Sequence, residues 1–231
     1  MVDLHRSSGR LPLLRSVFTA LARPSLDKPI LIKDVWFPGS WLEKLEQVLK
    51  PKVISIVRHP HAAIASTYRG RALGVWNPGI GALRDRIRSL DADNLSIELK
   101  ELVQLADTLN EAELEALRWR LEAEVTADYA RSYEQGRVVV YERLVSNTTE
   151  ELGGIFEFLG WQLTASARAF IEQSQIPDLV GDERANYFSV RRDPSSVLAD
   201  WREHITDDQL RDVDRILGSS WLLELWSEHH G

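Results

Sequence analysis

The sequence predicts an α/β layered domain built on a parallel sheet flanked by helices. Three observations carry that prediction. Short β-branched runs are apolar almost without interruption, as strands covered on both faces must be. Long amphipathic helical patterns separate those runs, and alternating strand and helix leads to a parallel sheet. Capping residues stand where the helices should begin.

Taken in order, Leu11 to Ala22 is apolar but is interrupted by Arg15 and ended by Arg23-Pro24. It reads as an amphipathic surface helix and not as a signal peptide. Pro29 to Lys33 is the first expected strand. Trp41, Leu42, Leu45, Val48 and Leu49 then make one helical face. Lys52 to Val57 is the second strand. Gly70 to Leu90 carries Gly, Arg and Trp without clean periodicity, which suggests a mobile loop over a site. Asn110 with Glu113 forms a capping box ahead of Leu114, Leu117, Leu121 and Val125. On that helix Glu111, Glu113, Glu115, Glu122 and Glu124 read as a solvated face. Arg137 to Tyr141 is the third strand. Asn147 with Glu150 opens a helix through Leu152, Ile155, Phe156 and Leu159 that Gly160 closes. Thr206 with Gln209 opens the last helix, which carries Leu210, Val213, Ile216 and Leu217. Three strands are few, since sheets average about five or six.

Composition narrows the function classes. The 231 residues are 44% hydrophobic and 27% charged, an ordinary balance for a globular chain, and they are read as one domain spanning residues 1–231. The net charge of −7 makes general nucleic-acid binding a poor fit, although a local basic cluster suits one small anion. The absence of cysteine excludes disulfides, thiolate nucleophiles and Cys-type zinc sites, and fits a reducing compartment. No apolar run reaches the ~20 residues that span a bilayer. The expected location is cytoplasmic, without membrane association.

The stretch that carries chemistry is Val53-Ile-Ser-Ile-Val-Arg-His-Pro-His-Ala-Ala-Ile-Ala-Ser66. A buried strand ends at Val57, and Arg58 sits where its carboxyl end opens, the place where open α/β sheets bind ligands. Pro60 suits the first turn of a helix. Free amides at a helix N-terminus attract an anion, and Arg58 and Ser66 add a guanidinium fork and a hydroxyl. Two readings of these residues stand side by side. One is a phosphate cradle; in the other, Arg58 pairs with a carboxylate and Ser66 faces solvent.

Arg58-His-Pro-His-Ala-Ala-Ile-Ala-Ser66 resembles the 3′-phosphate-binding motif of sulfotransferases that use 3′-phosphoadenosine-5′-phosphosulfate (PAPS). Val139-Val-Tyr-Glu-Arg-Leu144 is similar to that family's Tyr-Glu-Asp-Leu strand, and Phe156-Glu-Phe-Leu-Gly160 to its Phe-Leu-Gly helix end. Trp201-Arg-Glu-His-Ile-Thr206 looks like its C-terminal Trp-Arg segment, and Lys28 to Lys33 like the strand before the phosphate motif. These matches run in family order from about residue 28 to 217. The resemblance implies a P-loop-like parallel sheet, PAPS as donor, and transfer of a sulfuryl group to a hydroxyl or amine of a small-molecule or glycan acceptor. It implies no metal. It also implies that Arg58 and Ser66 bind the 3′-phosphate, that Tyr141 contacts the adenine, that Arg191 and Arg192 belong to a donor-binding loop, and that Lys33 lies near the sulfuryl group. The family's first strand and its Gly-Thr-rich 5′-phosphosulfate loop have no counterpart here. No lysine follows a glycine, and Arg6-Ser-Ser-Gly-Arg10 is only a faint echo. The family's usual general base falls in that missing part or where Val35 stands. The chain is therefore expected to be N-terminally incomplete relative to the family, with an open sheet edge and a tendency to self-associate.

Each assignment has a plainer counterpart. Lys33 is otherwise a surface cation, Tyr141 a core aromatic, and the Arg191–Arg192 pair solvated charge. His59 and His61 make a His-x-His that lacks a third metal ligand. Trp76 lines an acceptor pocket or anchors the core. For the whole chain the alternatives are a sulfotransferase and a non-catalytic nucleotide- or partner-binding protein on the same fold.

Overall fold

The computed structural model describes residues 31–33, 39–75, 79–90, 95–176, 187, 193 and 198–227. The chain divides into two compact units, Met1–Val35 and Trp36–Gly231. In the first, Leu31, Ile32 and Lys33 are exposed and have no regular secondary structure. The strand expected at 29–33 is therefore not formed over these residues. A lone extended segment leaves its backbone groups to water unless a neighbouring strand takes them up.

The second unit begins with α1, Gly39–Leu49, followed by β1, Val53–Val57, and α2, Pro60–Ala72. Next come α3, Gly79–Arg88, α4, Ile97–Gln104, and the long α5, Glu111–Ser132. Strand β2, Gly136–Val140, leads directly into α6, Tyr141–Ser146, then α7, Thr148–Leu159, and α8, Ala165–Ser174. A 3₁₀ turn at Asp200–His204, α9 at Asp207–Leu217, a second 3₁₀ turn at Trp221–Leu223 and the short α10, Glu224–Ser227, complete the described chain. The unit is mostly helical around a small sheet.

Among the described residues the sheet has two parallel strands, with Val53 opposite Gly136 and Val57 opposite Val140. Side chains alternate across it. Val57, Val138 and Val140 pack into the main core with Leu114, Leu117 and Leu121 of α5, and Ser55 Oγ bonds Thr126 Oγ1 of α5 at 3.4 Å. On the opposite face Val139 is buried, and Arg137 donates to the Gly154 carbonyl of α7 at 2.6 Å. Ile56, on the same face of β1, stays 55% exposed. The expectation of strands covered on both faces thus fails at Ile56. Among the described residues no strand pairs with β1 on the side away from β2.

Helix α5, at 22 residues about 33 Å long, is the axis of the unit. Asn110 and Glu113 close its capping box reciprocally, at 3.1 and 2.8 Å. Its C-terminal end turns tightly into β2 at Gly136, where a Cβ would lie 2.0 Å from the Ala130 carbonyl oxygen, so only glycine fits. Helix α9 carries the second reciprocal box, Thr206 with Gln209, and buries Val213, Ile216 and Leu217. Helix α7 ends as expected: Gly160 takes φ 75°, and the Gly160 and Trp161 amides reach Glu157 and Phe156 carbonyls at 2.9 and 2.8 Å.

Four further expectations are corrected. Asn147 makes no side-chain cap, because its backbone at φ −122°, ψ 44° is still closing α6, its amide bonded to the Arg143 carbonyl at 2.8 Å. Val48 on α1 faces solvent. The stretch from Gly70 to Leu90 is largely helical: α2 runs to Ala72, and α3 buries Leu83 and Ile87 one turn apart. The glutamates of α5 are not a solvated face, since Glu113, Glu115 and Glu124 are buried. Glu115 binds Arg71 of α2 and Arg118, the latter at 2.7 Å. Arg118 reaches Glu122 at 2.7 Å, and Arg86 of α3 reaches Glu122 at 3.4 Å. Arg120 joins Glu124 at 3.1 Å, Glu98 of α4 at 2.6 Å and the Ile216 carbonyl at 2.9 Å. Buried carboxylates persist because each meets a guanidinium.

Candidate functional site

Parallel pairing brings both strand ends to the same edge of the sheet. Because Val57 lies beside Val140, the next residues, Arg58 and Tyr141, leave the sheet together. The Arg58 guanidinium stands 5.2 Å from the centre of the Tyr141 ring, a cation–π contact. Arg58 and Tyr141 are thus neighbours.

Arg58 is followed by the N-terminus of α2. His59 is the N-cap residue and makes no side-chain cap, Pro60 opens the helix, and the Ala63 amide closes the first turn on the His59 carbonyl at 2.9 Å. The amides of His61 and Ala62 precede the first intrahelical bond and point out of the helix end, where they and the helix dipole favour negative charge. Ala62, Ile64 and Ala65 are buried, so α2 sits close against the core.

The peptide between Arg58 and His59 is held at both of its polar atoms. Trp119 Nε1 of α5 donates to the Arg58 carbonyl at 3.1 Å, and the His59 amide donates to Glu142 Oε1 at 2.9 Å. The other carboxylate oxygen, Oε2, accepts Trp226 Nε1 at 3.0 Å. The His59 ring lies between Trp201, stacked at 6.2 Å, and Trp226, edge-on at 5.2 Å, with the His61 ring 5.0 Å away. Burial, reinforced by the neighbouring His61, pulls the His59 imidazole down to a pKa of about 4. It is neutral at pH 7. Its Nδ1 is buried and has no hydrogen-bond partner among the described residues. His61 Nε2 engages Asp214 Oδ1 of α9 at 2.7 Å.

Ser66 lies two turns into α2, about 9 Å along the axis from Pro60. It is partly buried, and its carbonyl accepts the Tyr187 hydroxyl at 3.2 Å. Lys33 belongs to the other unit, in the exposed irregular segment, and not to a strand end. Arg191, Arg192 and Trp76 lie outside the described residues. Among the described residues no group of three or more His, Asp or Glu side chains is arranged to hold a metal ion. No helix among them is long and apolar enough to cross a membrane.

The sequence reading passed over the residues that secure this edge. Glu142 follows Tyr141 directly, but an acidic side chain beside an expected anion site gave no reason to assign it. For Trp119 and Trp226 the one local signal is the indole N–H group, which needs a partner when buried.

The sulfotransferase domain family matches residues 25–226 of the chain. No curated protein and no solved structure gives a significant match.

Proposed function

The chain belongs to the sulfotransferase domain family, and we propose that the edge at Arg58 binds the adenosine 3′,5′-bisphosphate part of PAPS. Arg58 and Ser66 hold the 3′-phosphate, together with the amides that open α2. Tyr141 borders the adenine, and Arg191 and Arg192 serve the donor loop. The observation that supports this reading is the strand register. It sets a guanidinium and an aromatic ring side by side at the carboxyl ends of two parallel strands, next to a helix N-terminus. The guanidinium supplies charge and geometry for phosphate oxygens.

In the reaction of such a site the bond between sulfur and the donor's phosphate oxygen breaks. A new bond forms from sulfur to the acceptor oxygen or nitrogen, the acceptor loses its proton, and adenosine 3′,5′-bisphosphate departs. The acceptor is a small-molecule or glycan hydroxyl or amine. A second reading, nucleotide binding without transfer, is favoured by one observation. Lys33 lies in an exposed segment without regular structure and not at the strand end that a role in transfer calls for.

Incubation with PAPS and a panel of phenolic, amine and sugar acceptors separates the two readings. Titration with adenosine 3′,5′-bisphosphate tests the donor site that both share. Arg58→Ala is expected to weaken binding by about 2–3 kcal/mol, the worth of a charge-assisted phosphate contact. Unchanged affinity in that variant rejects the assignment.

A further inference from the structure

We infer that Glu142 is a positioning residue for this edge, a clasp that joins the Arg58–His59 peptide to the C-terminal Trp226 and so fixes where Arg58 and the first turn of α2 stand. The ligand in this inference is the nucleotide proposed above; the clasp itself rests on geometry.

Three segments distant in the sequence meet at one carboxylate. Oε1 accepts the His59 amide at 2.9 Å and Oε2 accepts Trp226 Nε1 at 3.0 Å. The carbonyl of the same peptide unit accepts Trp119 Nε1 at 3.1 Å. A peptide plane held at both its N–H and its C=O has no freedom to rotate, so the direction in which the chain leaves β1 toward α2 is set. Trp119 and Trp226 are themselves 6.5 Å apart, which makes the two anchors one packed assembly. The chemistry suits a carboxylate and not an amide. Both donors are N–H groups, and a glutamine would turn its own NH₂ toward one of them.

A negative charge beside an anion site is costly if it acts only as a charge, since it repels the ligand. That gives the test a sign. Neutralising a mere bystander strengthens binding, whereas removing a clasp weakens it. Adenosine 3′,5′-bisphosphate is titrated into wild type, Glu142→Gln, Trp226→Phe and the double variant at one ionic strength. Amide hydrogen exchange at His59 is followed in the ligand-free proteins. The expected results are about 10-fold weaker binding for Glu142→Gln, a smaller loss for Trp226→Phe, and a double variant no weaker than Glu142→Gln alone. Exchange at His59 should quicken by about 10-fold or more in Glu142→Gln. Trp226→Phe removes one donor and keeps the ring, so it provides a readout should Glu142→Gln fail to fold. Equal or tighter binding by Glu142→Gln overturns the inference, as does strict additivity of the two substitutions or unchanged exchange at His59. Absence of binding by wild type, with faster exchange in Glu142→Gln, rejects the nucleotide reading and supports the clasp.

Discussion

His59 stands between two tryptophans beside His61, and that enclosure decides its charge. Its pKa in the folded protein, about 4, lies below the ordinary 6.5. Between those values the unfolded chain takes up a proton that the folded chain refuses. Stability should therefore be unaffected by His59 above about pH 6.5, and should fall as pH drops from there toward 4, by at most about 3 kcal/mol. Denaturant midpoints at pH 7 and pH 4.5 check this. His59→Phe, which keeps a ring between the tryptophans, should lose less stability across that interval than wild type; an equal loss in both proteins would show that the imidazole is not the group responsible. At this scale the sequence was informative about the place of Arg58 at the carboxyl end of β1, because the β-branched run that ends at Val57 is a local signal. It was uninformative about His59, whose enclosing tryptophans, Trp201 and Trp226, lie more than 140 positions away.

Between elements, the α2–α3–α5 contact carries, beside its apolar core, a run of alternating charge: Arg86, Glu122, Arg118, Glu115, Arg71 and Glu111 in succession. Glu115 is its centre, with a side chain only 1% exposed. Glu115→Ala leaves Arg71 and Arg118 without that buried carboxylate and is expected to cost about 3–5 kcal/mol, read as a lowered denaturant midpoint. A loss below about 1 kcal/mol would mean that water replaces the carboxylate without difficulty. Strands β1 and β2 and the caps at Asn110, Thr206 and Gly160 were legible because their signals are local: β-branched runs, reciprocal capping pairs and a glycine with positive φ. The glutamate face was misread for the opposite reason. Periodicity alone makes Glu115 a solvent residue, and its burial depends on Arg71 arriving from another helix. Helix α3 was missed because its apolar signal, Ile80, Leu83 and Ile87, is short and lies within an Arg- and Gly-rich stretch.

At the scale of the molecule, the family match covers residues 25–226, while the regular sheet among the described residues has two strands. On the proposed reading the site anchors one end of a nucleotide, and no Gly-Thr-rich loop is expected to attend the transferring group. Losing one preorganised donor costs about 10²–10³ in rate. Sulfuryl transfer by this chain with PAPS and a phenolic or sugar acceptor is therefore expected to be slower by at least that factor than transfer by a family member that has the loop; comparable turnover would contradict the expectation. What the sequence withheld was the arrangement around the anchor. Glu142, Trp119 and Trp226 are ordinary residues until folding gathers them at one peptide. The central claim is that Arg58 holds a 3′-phosphate. Titration calorimetry of wild type and Arg58→Ala with adenosine 3′,5′-bisphosphate and with adenosine 5′-phosphate tests it most directly. The account predicts that wild type prefers the bisphosphate by about 30- to 150-fold and that Arg58→Ala loses most of that preference. A wild type indifferent to the 3′-phosphate, or an Arg58→Ala variant that keeps the full preference, would contradict it.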